Sequence, residues 1–595
     1  MKKLKEMGVE TGINMLHTNG HCFYADEEEF GFRRAVTLDG QPSRGSVCML
    51  DKAFLEHIKS AYKYYASLNP SVIFTDDDIR MESLGQFICL CPEHIKAISE
   101  RVGRSLDAKE IRESVICDTF DENPVRAAFF KQLKDDIEFM IAQIADSVHE
   151  VSPETEIGVM TTYYPSVTAD RDLKSFFEKL IDSKKVTRIR TGMCYYREGD
   201  YHSIPIAFSQ PAIQRDFIDN PDVEIQPEVE NDPYSFYQKS NSITKLQLVW
   251  CLTNGFRNMQ LNLFNYDMPV FNYDEITDMF SENIDYHNKL VELIPEGYRT
   301  SGIGIYAHPR ALTKRRAKDG NLFFNASWHK WFSLLGMPVS SKPKESDFTM
   351  LVGDDIYLAS DSEIDSILKK GAIIDLRAAE ALLERGYGKR IGISSIKKIE
   401  KVFSGERFTD DDINGEFKGV ANSDYFYSTL IDSETAKEIS YFSDARVLSF
   451  YINHRKEKVC DAVAAYENEN GERFIILPYV DTDFTYFTNV NHKRRRQLIN
   501  GFEWIAGKKL PVFADNEKMC VNINCFPNRN VITLFNLASD DVTAPKLRYT
   551  PIGKLKYVDE SGGILPLNSK AADGILVIDK EIRSAGVLVI VDEVE

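Results

Sequence analysis

From the first residues to about position 290, short β-branched and aromatic runs alternate with stretches whose apolar residues recur every three or four positions. That alternation predicts strands followed by amphipathic helices, the pattern of a parallel βα architecture. Strands are expected at Thr11–Leu16, Ser71–Thr75, Glu156–Thr161, Thr187–Met193, Val223–Glu228 and Asn258–Phe264, with helices such as Leu55–Ala66, Pro124–Val148 and Leu173–Ile181 between them. Gly45–Leu50 reads as a seventh strand. A closed (β/α)8 barrel takes eight, and the chain opens on a helix-like segment. The expected fold is therefore α/β, a TIM-type barrel whose first βα unit is missing.

The pattern restarts near Thr300. GIGIYAHPR, a helix around Ser327 to Leu335, TMLVGDDIYLAS and SEIDSILKKGAIIDLRAAEALLERGYG predict a second, smaller α/β unit. From about 510, alternating runs (Met519–Asn524, NVITLFNLA, GILVIDK, AGVLVIVDE) broken by Gly, Pro, Asn and Asp predict a terminal β-sandwich. The expected division is 1–295, 296–500 and 501–595.

Composition narrows the function. With 91 acidic against 72 basic residues, the chain lacks the basic face that nucleic acid or an anionic membrane rewards. Its two basic clusters, Lys314–Arg316 and His492–Arg496, read as solvated turns or helix ends. No apolar run approaches the ~20 residues of a membrane helix, and MKKLKEMGVE has no signal-peptide core, so a soluble cytoplasmic protein is expected. Ten scattered cysteines suit reduced thiols or metal ligands better than disulfides.

Two acidic segments carry the candidate chemistry. Asp76, Asp77 and Asp78 follow the strand SVIFT, and Glu228, Glu230 and Asn231 end the strand near 225. In a βα barrel both fall at the C-terminal mouth, where active sites lie. Glycosidic cleavage needs such a pair: one carboxyl protonates the leaving oxygen while the other attacks the anomeric carbon or activates water. Other mouth-facing candidates are His17, His21, Tyr163, Tyr164, Tyr195, Tyr196, Asn262 and Asn265.

These segments resemble the family 42 glycoside hydrolases, the β-galactosidases of clan A. Glu230-Asn231-Asp232-Pro233 fits that family's Glu-x-x-Pro nucleophile context, and Asp76-Asp77-Asp78 stands where the family has its Asn-Glu acid/base pair. The resemblance implies Glu230 as nucleophile and Asp78 as acid/base, with Asp76 open as an alternative acid. Arg44, Asp77, Asp76, Glu228, Asn231, His17, His21, Tyr163, Tyr195 and Asn262 would then hold substrate. The family also carries an Arg four residues before a Cys, then Cys-x-Cys-x-x-Cys. Arg44 and Cys48 match the first, and Cys89, Cys91 and His94 match the second with His in the last place. The implied cofactor is a structural zinc on Cys48, Cys89, Cys91 and His94, a donor set that suits this ion. A flavodoxin- or amidotransferase-like second domain and a homo-oligomer, trimer or dimer, are also implied. Amidotransferase chemistry needs a cysteine nucleophile, and none lies between Cys251 and Cys460, so that domain would be structural.

Asp78 is one methylene shorter than the family's Glu, and Asp77 replaces a donor amide by an acceptor. These departures leave galactose specificity and retaining stereochemistry open. The expected activity is two-carboxylate hydrolysis of a β-glycoside or oligosaccharide. The alternatives are a non-catalytic carbohydrate-binding protein on a degenerate barrel and a metal-dependent hydrolase on His17 and His21.

Overall fold

The computed structural model describes residues 1–19, 31–83, 86–116, 122–162, 164–199, 201–231, 239–264, 274–314, 328–423, 435–480, 489–516 and 518–594. The predicted residues His21, Tyr163, Asp232, Pro233 and Asn265 lie outside these, as does the side chain of Arg44.

Six strands form one parallel sheet in chain order: β1 (Gly12–Met15), β2 (Val72–Thr75), β3 (Glu156–Thr161), β4 (Val186–Thr191), β5 (Glu224–Glu230) and β6 (Gln260–Asn262). All five pairings are parallel. Every strand matches one of the six runs predicted from hydropathy. The seventh does not: Pro42–Val47 pairs antiparallel with Arg34–Val36 in a separate two-stranded ribbon. Among the described residues the sheet is thus a six-stranded half-barrel rather than a closed (β/α)8 ring. A period-two run identifies a strand but not its partner, which is why the ribbon reads as a barrel strand in sequence.

Helices cover the outer face. Lys52–Ala66 is capped by Asp51, whose carboxylate accepts from the N–H groups of Ala53 and Phe54, and buries Phe54, Ile58, Tyr62 and Ala66 at four-residue spacing. Pro124–Val151 is capped by Asn123 and packs against that helix and against Pro92–Val102. Inside the sheet, Val72, Phe74 and Met160 form a small apolar cluster. Phe74 lies directly over Gly158, where a Cβ would come within 2.2 Å of its ring. This apolar layer sits one pleat below the residues that end β2 and β4.

A second sheet joins Ile303–Ile305, Phe348–Leu351, Ala372–Ile374 and Arg473–Ile476 in parallel and adds Ala464–Glu467 and Arg446–Val447 antiparallel. Between its third and fourth strands the chain departs to build a small antiparallel sheet from Gly405–Phe408, Ala421–Ser423, Ser449–Ile452 and Lys458–Asp461. The C-terminal part holds two antiparallel sheets, one around Met519–Phe526, Arg529–Asn536 and Val587–Glu593, the other around Lys546–Tyr549 and Ile575–Ile578. Val521, Ile532, Leu547, Leu576 and Ile590 form their common core. The strand Arg299–Thr300, which follows the last half-barrel helix, pairs with Met519–Phe526.

The basic cluster at His492–Arg496 lies at a helix end, as expected, but is not all solvated. It begins the helix His492–Ala506, and Arg494 is fully buried on Glu406 of the inserted sheet at 2.5 Å. No helix among the described residues is long and apolar enough to cross a membrane.

Candidate active site and metal centre

The two acidic segments meet through an arginine. Arg190, near the end of β4, is 5% exposed; its Nη1 lies 2.5 Å from Glu228 Oε1 on β5, and its Nη2 3.2 Å from Asp77 Oδ2 and 3.4 Å from Asp76 Oδ1 beyond β2. A guanidinium is a rigid planar fork, so these contacts hold the Glu228 and Asp77 carboxylates within about 8 Å of each other. Alternation explains the convergence: Arg190 sits beside Gln226 and Met160 in register, and Glu228 lies two residues beyond Gln226 on the same side.

The acids past β2 are all buried, Asp76 at 2% and Asp78 at 3% exposure. Asp76 accepts from Asn14 Nδ2 of β1 (3.0 Å) and from the Asp77 amide (2.7 Å). Asp77 accepts from Arg80 Nη1 (3.1 Å), and Asp78 takes the Asn19 amide (2.5 Å). The turn is pinned from behind, because Asp170 accepts the Met81 amide while Arg171, paired to Asp170 at 2.8 Å, donates to the Ile79 carbonyl. Three adjacent carboxylates are thereby fixed against their mutual repulsion.

On β5, Glu228 is 4% exposed and accepts from Tyr196 Oη at 2.8 Å. Burial pushes its carboxyl up to about 8 against the pull of Arg190, and Glu230 and Asp77 add to the rise. Glu230 ends the strand half-buried. Its carbonyl receives Lys239 Nζ at 2.6 Å, and the same ammonium reaches Gln247 Oε1 (2.7 Å) and the Tyr195 carbonyl (3.4 Å). Burial pushes Lys239 down to about 7, with Glu228 and Glu230 opposing.

The remaining predicted residues are placed unevenly. Asn262 faces Glu230 in register, and its carbonyl accepts the Asn231 amide. Tyr195 packs in the apolar core with Met193 and Ile204; its neighbour Tyr196 is the one that reaches Glu228. His17 is exposed beyond β1, and Arg44 lies on the ribbon strand Pro42–Val47. Sequence reasoning missed Arg190 and Lys239. VTRIRT does place Arg188 and Arg190 on one face of a strand, but a charged face ordinarily signals solvent.

The second centre gathers Cys48, Cys89, Cys91 and His94, all buried, with donor atoms within 4.8 Å of one another. Cys48 Sγ lies 3.5 Å from both Cys91 Sγ and His94 Nδ1, and Cys91 Sγ lies 3.2 Å from His94 Nδ1. Tetrahedral ligands on one ion with ~2.3 Å sulfur and ~2.0 Å nitrogen bonds stand about 3.5–3.8 Å apart, so the set fits a structural metal site. The thiols alone are in conflict: contacts with Cys48 and Cys89 pull Cys91 down, while contacts with Cys89 and Cys91 push Cys48 up. A shared cation lets all three ionise. Asp136 orients the imidazole through His94 Nε2 at 3.0 Å and is itself held by Gln132 at 2.7 Å.

A separate concavity of about 510 Å³, partly open to solvent, is lined by Phe208, Trp250, Asn254, His329, Cys520 and Asn522, with no residue of the acidic mouth among its lining.

No family model and no curated protein matches the sequence. The fold does match solved structures over the full length. A β-galactosidase from Bacillus circulans sp. alkalophilus is 10% identical with a TM-score of 0.63, the alignment covering 99% of this chain and 90% of that one. A family 42 β-galactosidase from G. stearothermophilus is 9% identical with a TM-score of 0.63, covering 100% and 89%. The β-galactosidase from the haloarchaeon Halorubrum lacusprofundi is 12% identical with a TM-score of 0.58, covering 99% and 90%. The chain shares the three-part fold of these enzymes.

Proposed function

We propose that the protein is a glycoside hydrolase that cleaves a β-glycosidic bond at the mouth of the half-barrel, with Glu230 as nucleophile and Asp78 as acid/base. The observation that carries this reading is the Arg190 bridge, which joins Glu228 and Asp77, the neighbours of the proposed pair, and so supports a shared mouth for the two acidic segments that a two-carboxylate mechanism needs. The fold shared with β-galactosidases supports it. Glu228 and Glu230 share one side of one strand and interact directly, too close to straddle a sugar, so the acid has to come from across the mouth. Glu228, fixed by Arg190 and Tyr196, positions Glu230, and retention follows if Glu230 forms the covalent intermediate.

The test is a panel of aryl β-glycosides. Glu230→Gln and Asp78→Asn should each cut kcat by at least about a thousandfold while the circular dichroism spectrum stays native. Near-full activity in either variant would remove that residue from the mechanism.

A second reading, carbohydrate binding without cleavage, is favoured by the same Arg190, which neutralises part of the acidic mouth. Binding of sugars with no turnover across the whole panel would select it.

The buried Cys3His set would hold zinc, which would supply a cross-link between the ribbon and the helix Pro92–Val102. Elemental analysis of protein purified without chelator should find about one zinc per chain, and Cys91→Ser should lose it and lower the melting temperature. Metal-free protein with an unchanged melting temperature would sink this assignment.

A further inference from the structure

The segment after β1 grips the proposed acid/base from the ribbon side. Asn19 is 2% exposed, and its backbone amide donates to Asp78 Oδ2 at 2.5 Å. Its side-chain Oδ1 accepts the Val47 amide at 2.9 Å, at the end of the ribbon strand Pro42–Val47. One buried residue therefore joins the carboxylate beyond β2 to the ribbon, which is a sheet of its own.

Both ends of this link are anchored. Just before Asn19, Thr18 Oγ1 meets Tyr62 Oη of the helix Lys52–Ala66 at 2.9 Å and donates to the Met15 carbonyl at 3.1 Å. On the ribbon, Val47 leads directly into Cys48 of the metal centre, and the Val36 amide donates to Cys89 Sγ at 3.2 Å. Asn19 Nδ2 is buried and has no hydrogen-bond partner among the described residues. An orphaned buried donor costs stability, so what this side chain contributes is its oxygen, which sets where the Asp78 contact stands relative to the ribbon. A general acid has to be held within about 0.5 Å of its productive position, and an Asp carboxyl can otherwise rotate away about χ1 and χ2.

Resting on the glycosidase reading above, we infer that Asn19 is the positioning residue of Asp78, tying the acid/base to the ribbon that leads into Cys48. Asn19 acts through Asp78 and transfers no proton itself. As the glycosidic bond breaks, the Asp78 proton passes to the leaving oxygen, and the Asn19 amide remains as a donor to the carboxylate so formed. Without the Asn19 side chain, the Val47 amide loses its acceptor and the carboxyl is no longer held in place.

Help from a general acid matters for a poor leaving group and hardly at all for a good one. The test therefore compares kcat/KM on phenyl and 2,4-dinitrophenyl β-glycosides of the sugar that the aryl-glycoside panel selects. Asp78→Asn sets the scale, losing at least about a hundredfold on the phenyl substrate and little on the dinitrophenyl one. Asn19→Ala should show the same pattern at smaller size, with at least about tenfold lost on phenyl and less than about threefold on dinitrophenyl. Its Val47 amide should exchange hydrogen at least about tenfold faster than in the wild type. Asn19→Leu, which keeps the branched shape and removes only the polar atoms, should behave alike and serves where Asn19→Ala does not fold. Equal losses on the two substrates, or unchanged exchange at Val47 in a folded variant, overturn the inference. So does a wild-type Val47 amide that exchanges as fast as an unstructured one, a readout that needs no variant. If Asp78→Asn shows no leaving-group dependence, the acid/base assignment falls and this inference with it. If Asp78→Asn shows it and Asn19→Ala does not, this inference alone is removed.

Discussion

At the scale of single residues, the site is two buried charges titrating in opposite senses. The Glu228 carboxyl is raised to about 8, above its ordinary value, so the folded protein holds a proton that the unfolded chain releases. Its contribution to stability is full at low pH and is lost as pH rises toward 8. Lys239 is lowered to about 7, so the folded state disfavours its proton, and stability rises with pH above 7 as the unfolded chain alone stays protonated. Of these two groups, only Glu228 contributes a slope between pH 5 and 7, at most about 1.4 kcal/mol per pH unit. Urea unfolding across pH should therefore show that Glu228→Gln flattens the fall between pH 5 and 7, while Lys239→Met flattens the rise above 7. Unchanged slopes in these variants would mean that neither group titrates as its surroundings dictate. The carboxylates were legible in the sequence because strand-end acids stand out against apolar runs. Arg190 and Lys239 were not, because what makes them functional is the partner each meets across strands, and spacing along one strand does not encode that partner.

At the scale of elements, the six strands of the parallel sheet could be read because burial on both faces leaves unbroken apolar runs such as VIFT and IGVM. The apolar run in the predicted Gly45–Leu50 lies mostly beyond the ribbon strand Pro42–Val47, which pairs locally, and Cys48, the residue after it, is drawn to the metal centre instead of to the barrel. The sheet interior has its own constraint at Gly158. Phe74 occupies the space a side chain would need, with its ring 2.2 Å from any added Cβ. Gly158→Ala should force that ring off its rotamer, costing about 1–3 kcal/mol, and should displace the layer on which Asp76 and Arg190 rest. The unfolding midpoint checks the first effect and KM the second; a midpoint equal to wild type would show that the Phe74 ring moves aside freely.

At the scale of the whole molecule, the region from about 395 to 480 has no clear hydropathy pattern because its strands are short and the chain leaves one sheet, builds another and returns. Hydropathy records burial but not that detour. Arg494 shows the cost of reading charge locally: a basic run that suggests solvent supplies a cation buried against Glu406. The half-barrel is likewise not self-contained. Met193, Phe208, Val249 and Trp250 share one apolar core with Val531, Phe535 and Val589 of the C-terminal sheets, and Arg299–Thr300 is a strand of that distant sheet. During synthesis, the second half of the half-barrel therefore emerges from the ribosome long before the strands that cover it. It has to wait, apolar side exposed, for the last residues of the chain, and a message truncated anywhere before the final strands would yield a sticky fragment in place of a smaller working enzyme.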